Sequence, residues 1–448
     1  MPNKINLNIK NFGPINEANI NINKINVVGG KNASGKSFSS KLLFCFLTSM
    51  SDKGKFIENN GIYGSFLMFK NRWIDNSSSE QIRYGDAELK GKLNSLLQEW
   101  DTEEISFDYF NNFFINFKTI IEQYGLLNDE FCQQELDSIK KGIEVNKGEF
   151  AYLSRVINFL LMAEFGNASL QSFSGAEIKF IDTINKMFDF TINFDADVVN
   201  LKFSANDIDK LKIKKVIYVD NIQILGFNIQ NTPSGMIINN NSAGSYHFVS
   251  LLENLVQKDS IGSQAYEKVY GQHGKKFANS LIDLMGGSFE FDESKSTFTF
   301  NMEQNSFDIV NIASGYKQIG LIQLLLSNKS ISDGTWLILD EPEVNLHPGM
   351  QIELAKLLVQ IAKELNVKIY LNSHSPFIIE AIEVFSKKEK MEDEVSFFLT
   401  DSVNDNANKF NLFEVNRDNL NQVYDNLADP YHVLNSIRFE IDWENEFE

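Results

Sequence analysis

Residues 30–37 read Gly-Lys-Asn-Ala-Ser-Gly-Lys-Ser, a full match to G-x-x-x-x-G-K-[ST]. The apolar residues Ile25, Val27 and Val28 precede it as a strand running into glycines, and the pattern from Lys36 to about Ser49 suits a helix, with Leu42, Leu43, Phe46 and Leu47 on or near one face. A strand, a glycine-rich turn and a helix in this order commit the chain to an α/β architecture. They also supply an anion site. Gly30 and Gly35 let the backbone N–H groups of Asn32, Ala33, Ser34 and the following residues through Phe38 close around phosphate oxygens, and the helix start adds its positive dipole end. Lys36 is placed to reach the β- and γ-phosphates, and Ser37 to ligate Mg²⁺, so ATP and Mg²⁺ are the expected ligands.

A second element answers the first. Leu337-Ile338-Leu339 is a buried-strand pattern ending in Asp340-Glu341. Asp340 is expected beside the metal, and Glu341, pointing to the other side of the strand end, as the general base for an attacking water. The next strand pattern, Val367–Leu371, leads into Asn372-Ser373-His374-Ser375-Pro376. Ligands gather at the carboxyl ends of parallel strands, so His374 is expected at the γ-phosphate or the water. Alternating strands and helices from residue 315 onward argue for a parallel sheet with helices on its faces.

A third motif is less expected. Ser314-Gly315-Tyr316-Lys317-Gln318 opens an apolar helical run, and Ser314 lies 278 residues after Lys36 and 26 before Asp340. It too presents N–H groups and a hydroxyl to an anion. The chain's own phosphate loop already surrounds one ATP, so Ser314, Gly315, Lys317 and Gln318 are best used on an ATP held by a second copy.

Elsewhere the chain reads as strands at residues 5–22, with a turn at Asn11-Phe12-Gly13-Pro14, and as a small antiparallel patch over Phe289–Val310. Residues 51–210 read as an inserted, mainly helical region, with phenylalanines at helical spacing from Phe107 to Phe117 and a hairpin-like alternation over Phe188–Phe203. The expected organisation is an ATPase domain split over 1–50 and 211–448, with 51–210 a dimer or partner surface. Formal net charge is −19, which opposes a surface that coats nucleic acid everywhere and leaves room for a local basic groove. Two cysteines, Cys45 and Cys132, make neither a disulfide framework nor a zinc signature. No secretory signal and no apolar run of membrane length is found, so the expected compartment is the cytoplasm.

The set of phosphate loop, Ser-Gly motif, strand with Asp340-Glu341 and Ser373-His374 resembles the ABC-type ATPases. Asn11-Phe12-Gly13-Pro14-Ile15, the run Ile338-Leu339-Asp340-Glu341-Pro342-Glu343 with Leu346-His347-Pro348, and Asn372–Pro376 resemble the OLD-like branch, akin to RecF and SMC ATPases. The resemblance covers about residues 1–50 and 210–430. It implies an ABC-type fold, with a mixed or parallel core sheet flanked by helices, an antiparallel β subdomain and a helical insertion. It further implies a head-to-tail homodimer, or a higher even assembly, in which Ser314 and Gly315 complete the partner's ATP site and Asn345 to His347 lie near the contact, and a metal-side glutamine after an early strand, for which Gln223, after Tyr218-Val219-Asp220, is the candidate. Two departures stand out. Tyr316 replaces a glycine of the transporter motif, and the 74 residues after His374 leave no room for the TOPRIM nuclease of the OLD nucleases. A stand-alone ATPase of this kind resembles the subunits of anti-phage systems such as PARIS, Septu and the retron-associated ATPases, which control a separate nuclease or toxin. The alternative is a RecF-like ATPase that binds DNA.

Overall fold

The computed structural model describes residues 5–51, 152–166, 172–194, 199–206, 208–220, 222–226, 245–256, 264–403 and 406–420, with isolated residues elsewhere. The chain divides into two compact units, residues 1–51 with 159–448, and residues 52–158. Most of the second unit lies outside the described residues, and so do all the phenylalanines of the stripe from Phe107 to Phe117, Cys132, and all but the first residue of the helix-like stretch 420–427.

The first unit is built on an 11-stranded sheet in the order β6-β5-β4-β1-β2-β14-β13-β3-β12-β11-β7. Its strands are β1 (Ile5–Phe12), β2 (Ile15–Ile22), β3 (Ile25–Gly29), β4 (Glu177–Asp182), β5 (Phe188–Phe194), β6 (Val199–Ala205), β7 (Lys215–Val219), β11 (Thr335–Asp340), β12 (Lys368–Ser373), β13 (Val395–Val403) and β14 (Asn406–Val415). Five neighbours, β13, β3, β12, β11 and β7, run parallel. All five residues of β3 are buried, as befits a central strand covered on both faces. The outer part is antiparallel, β2 to β1 to β4 to β5 to β6. There Ile5, Leu7 and Ile9 are buried and the asparagines between them are not, the period of two that one-sided burial demands.

This corrects the expected domain boundary. Residues 177–205 belong to the main sheet: β4 pairs with β1 from Ile5↔Asp182 to Lys10↔Glu177. The predicted hairpin over 188–203 is present as β5 and β6, but it extends the core sheet and does not belong to a helical insertion. The β14 strand, not anticipated, carries the sheet across from β13 to β2.

Helices Lys36–Ser49, Tyr246–Val256 and Pro348–Glu364 pack on the parallel strands. Among the described residues the longer helices are, in chain order, α1 (Lys36–Ser49), α2 (Tyr152–Phe165), α3 (Tyr246–Val256), α4 (Gln264–Met285), α5 (Ser314–Ser327), α6 (Pro348–Glu364) and α7 (Pro376–Lys388). A separate three-stranded sheet, β8 (Ser288–Asp292), β9 (Thr297–Met302) and β10 (Asn305–Asp308), runs antiparallel, with Phe289, Phe298 and Phe300 in the core that also takes Ile319, Ile322 and Leu325 of α5. The architecture is α/β, with a large mixed sheet flanked by helices.

Candidate active site

Strand order assembles the site. β12 lies between β3 and β11, so the phosphate loop, Ser373-His374 and Asp340-Glu341 emerge from three adjacent parallel strands. The register places Gly29 opposite Ser373 and Asp340 opposite Asn372.

The loop is shaped by contacts that only glycine permits. A Cβ on Gly30 would sit 1.8 Å from Thr400 Oγ1, and Gly35 holds the left-handed conformation (φ +92°) with Ile15 Cγ1 2.7 Å from where a Cβ would be. Thr400 of β13 donates to Ser34 Oγ at 2.8 Å and so ties the loop to the neighbouring strand. Lys31, Asn32 and Ala33 form its exposed tip, with Ala33 at φ 61°. α1 begins at Lys36 with no side-chain cap and no acid in its first turn. Its free N–H groups and dipole are left to an anion. Phe38, one turn in, packs on Phe12, Phe165 and Phe173 and holds the helix start against β1.

Lys36 is 3% exposed. Its Nζ donates to the carbonyls of Gly30 (2.9 Å) and Lys31 (2.8 Å) and lies 3.9 Å from Glu341 Oε1. Burial pushes its ammonium down, while Glu341, Asp340 and Glu343 pull it back up. A buried cation held by neutral carbonyls, with carboxylates at longer range, is suited to bind a polyanion.

Asp340 is held in a buried polar network. Its Oδ2 accepts from Tyr218 OH of β7 (3.1 Å) and its Oδ1 from Asn372 Nδ2 of β12 (2.9 Å). Asn372 Nδ2 also reaches Ser40 Oγ of α1 at 2.9 Å, and Ser40 meets Tyr218 OH at 2.8 Å. Burial and the adjacent Asp340 push the Tyr218 phenol well up, so it stays a donor. Each carboxylate oxygen keeps acceptor capacity beyond these bonds. Ser37, half-buried in the first turn of α1, adds a hydroxyl. Hard oxygen donors of this kind suit Mg²⁺, and the loop that only glycines allow suits phosphate, so the residues present fit Mg²⁺ and ATP.

Glu341 follows β11 at φ 52°, with its N–H on the carbonyl of Asn372 (2.9 Å). Its direction is therefore set by a left-handed backbone step and not by strand alternation, as the sequence alone suggested. His374 Nδ1 lies 3.6 Å from Glu341 Oε1 and 3.4 Å from Glu343 Oε1. Glu343 is a residue that motif reading left unassigned. It is buried, and its Oε1 accepts from Ser373 Oγ (2.6 Å), His374 N (2.8 Å) and Ser375 N (3.2 Å). Burial pushes its carboxyl up, and these bonds pull it back. The signal was available, since Glu343 is the second acid of the Glu-Pro-Glu run. Thr400, 366 residues from Ser34, had no local signal at all.

Ser314 opens α5 and is exposed, Lys317 is half-buried and Gln318 is buried. The helix has neither a side-chain cap nor an acid in its first turn. Gly315 backs onto the turn after Glu341, where a Cβ would lie 2.6 Å from the Asn345 carbonyl oxygen. The Tyr316 ring stacks on Phe300 at 6.2 Å, on the side of the small sheet. Gln223 lies exposed in a short 3₁₀ turn, Ile222–Gly226, past the end of β7.

The model of the AAA ATPase domain matches residues 4–379. The chain belongs to the AAA ATPase domain family. As a member of that family it is an ATP-binding, phosphate-loop ATPase. A comparison with curated proteins gave no match. Among solved structures this AAA ATPase is similar to the SMC head domain from Thermotoga maritima (11% identity, TM-score 0.37, 93% of this chain and 100% of that one). It is also similar to the SMC head bound to the C-winged helix domain of ScpA (10%, 0.43, 94% and 100%). A third likeness is to an Smc head domain with an extended coiled coil bound to the C-terminal domain of ScpA, derived from Pyrococcus furiosus (11%, 0.33, 98% and 100%). No helix among the described residues is long and apolar enough to cross a membrane.

Proposed function

We propose that the chain is an OLD-like ATPase that works as a nucleotide-driven dimer switch. The observation that carries this reading is the pairing of a phosphate loop tied into the sheet with an exposed, uncapped helix start at Ser314. The first cradles the chain's own ATP. The second is offered outward, to the ATP of another copy related by a two-fold axis. Lys36 binds the terminal phosphates, Ser37 and Asp340 would hold the metal, and Gln223 is a further candidate to face it. Mg²⁺, when bound, neutralises phosphate charge. Glu341 takes the proton of the attacking water and His374 orients it. Ser314, Gly315 and Lys317 of one copy steady the charge that develops on the phosphate held by the other. Hydrolysis then reopens the dimer.

The switch controls a separate effector, a nuclease or toxin, as in anti-phage systems. The chain's resemblance to the ATPase subunits of those systems supports this, and the net charge of −19 weighs against a DNA-coating role. Ser314→Arg tests the shared site. The side chain is exposed, so the fold and ATP binding should persist while hydrolysis and ATP-dependent dimerisation are lost. Normal ATP turnover in that variant would sink the two-copy site. Mixing Lys36→Ala with Ser314→Arg subunits should restore about one working site per mixed dimer. Affinity capture of Glu341→Gln with ATP and Mg²⁺ held throughout should bring down a stoichiometric protein partner. Nucleic acid alone would favour the RecF-like reading.

A further inference from the structure

Two of the buried polar atoms that have no hydrogen-bond partner among the described residues are Glu343 Oε2 and His374 Nδ1. They lie on the two turns that end β11 and β12. His374 is 40% exposed as a side chain, yet its Nδ1 is buried and faces Glu343 Oε1 at 3.4 Å and Glu341 Oε1 at 3.6 Å. We infer that Glu343 is the positioning residue for His374: it clamps the histidine's main chain and holds the ring proton on Nδ1, which leaves Nε2 as the acceptor.

Glu343 is anchored and Glu341 is not. Glu343 Oε1 already takes three donors, Ser373 Oγ and the N–H groups of His374 and Ser375, so it can only accept. The Ser375 hydroxyl donates in turn to Gln351 Oε1 of α6, whose Nε2 donates to the Leu346 carbonyl, so both turns are braced together. Glu341 is a third exposed and faces Lys36 as well. A lone pair on the buried Nδ1 would confront two carboxylate oxygens, an electrostatically unfavourable approach. An N–H there meets acceptors. At 3.4 Å the approach is longer than an ordinary N–H···O bond, so it acts as an electrostatic bias on the tautomer. Lys36 is the cation coupled to Glu343, Glu341 and Asp340 among the described residues. A neutral ring with Nδ1–H accepts a hydrogen bond at Nε2, from a water but not from a phosphate oxygen. The catalytic consequence rests on the reading of His374 given above; the proton's position does not.

The test is the ¹⁵N spectrum of the histidine rings in the full chain, with the His374 signal assigned by its absence in His374→Gln. The wild-type neutral ring should carry its proton on Nδ1. In Glu343→Gln, which keeps an oxygen for the three donors, the Nδ1-protonated fraction should fall, kcat should drop about tenfold and KM for ATP should stay within about twofold. A wild-type ring protonated on Nε2 overturns the inference, and this measurement stands even if the variant does not fold. A fall in kcat with no change of tautomer also overturns it. A changed tautomer with unchanged kcat upholds the role of Glu343 and removes His374 from hydrolysis.

Discussion

Gly315 shows how one residue can answer two demands. From the sequence it is part of an anion-binding helix start. In the fold it lets α5 approach the backbone of the turn after Glu341, with Asn345 O 2.6 Å from a hypothetical Cβ. In an unconstrained helix Gly→Ala would gain about 1 kcal/mol. Here the obstacle is a carbonyl that no side-chain rotation removes, so the sign reverses. Gly315→Ala should cost about 1–3 kcal/mol in urea unfolding and lower kcat by displacing the Glu341–Asn345 turn. A variant more stable than wild type would show that α5 and this turn do not press on each other. Because either demand would lower the rate, Gly315→Ala cannot distinguish a shared site from internal packing; exposed Ser314 can. The strands, turns and helices that carry the phosphate loop, Asp340-Glu341 and Ser373-His374 were legible because each is a local pattern. Thr400 was not, because a single threonine meets Gly30 and Ser34 only after the chain has closed a loop of more than three hundred residues.

At the scale of elements, α1 is fastened to the sheet by two tyrosines from strands on either side of β11. Tyr370 OH meets Ser39 Oγ at 3.0 Å, and Tyr218 OH meets Ser40 Oγ at 2.8 Å and Asp340 at 3.1 Å. These bonds are not equivalent. Ser39 keeps a second bond to the Lys36 carbonyl, whereas the loss of Tyr218 OH strips a donor from a partly buried carboxylate. Tyr370→Phe should cost about 1 kcal/mol and leave the Mg²⁺ requirement unchanged. Tyr218→Phe should cost about 1–3 kcal/mol and raise the Mg²⁺ concentration needed for half-maximal turnover. Equal Mg²⁺ curves for the two variants would mean that Asp340 is positioned by Asn372 alone. That the central strands run parallel was readable from alternating elements, but their order was not, and β4–β6 were misplaced. Their alternation is that of any half-buried strand, and nothing local tells a hairpin in an insertion from one that pairs with β1.

Across the whole first unit, one buried charge joins distant parts of the chain. His247 of α3 sits 2% exposed between Glu164, whose Oε2 it meets at 2.5 Å through Nδ1, and Asp220, which it meets at 2.8 Å through Nε2. Its N–H reaches Glu164 Oε1 at 2.8 Å, Ser245 Oγ lies 3.1 Å from Nε2, Lys41 of α1 lies 4.0 Å from Glu164, and the Tyr218 ring packs on the imidazole at 4.6 Å. Burial works against the imidazolium, but its bonds to Asp220 and Glu164 prevail and lift its pKa from 6.5 to about 9. The folded state therefore binds a proton that the unfolded chain releases. The stabilisation is complete below pH 6.5 and is lost as pH rises towards 9, with a slope of at most about 1.4 kcal/mol per pH unit. Lys368, pushed down to about 8 by burial, works in the opposite sense above that pH, so the clean window is pH 6.5–8. Urea unfolding across that window should show wild-type stability declining and the decline flattened in His247→Gln, although the variant is less stable throughout because Glu164 loses its cation. Parallel pH curves would mean that His247 is neutral in the folded protein. In that case the bond between the strand end at Asp220, the helix α3 and Glu164 is an ordinary hydrogen-bonded bridge and not a buried ion cluster.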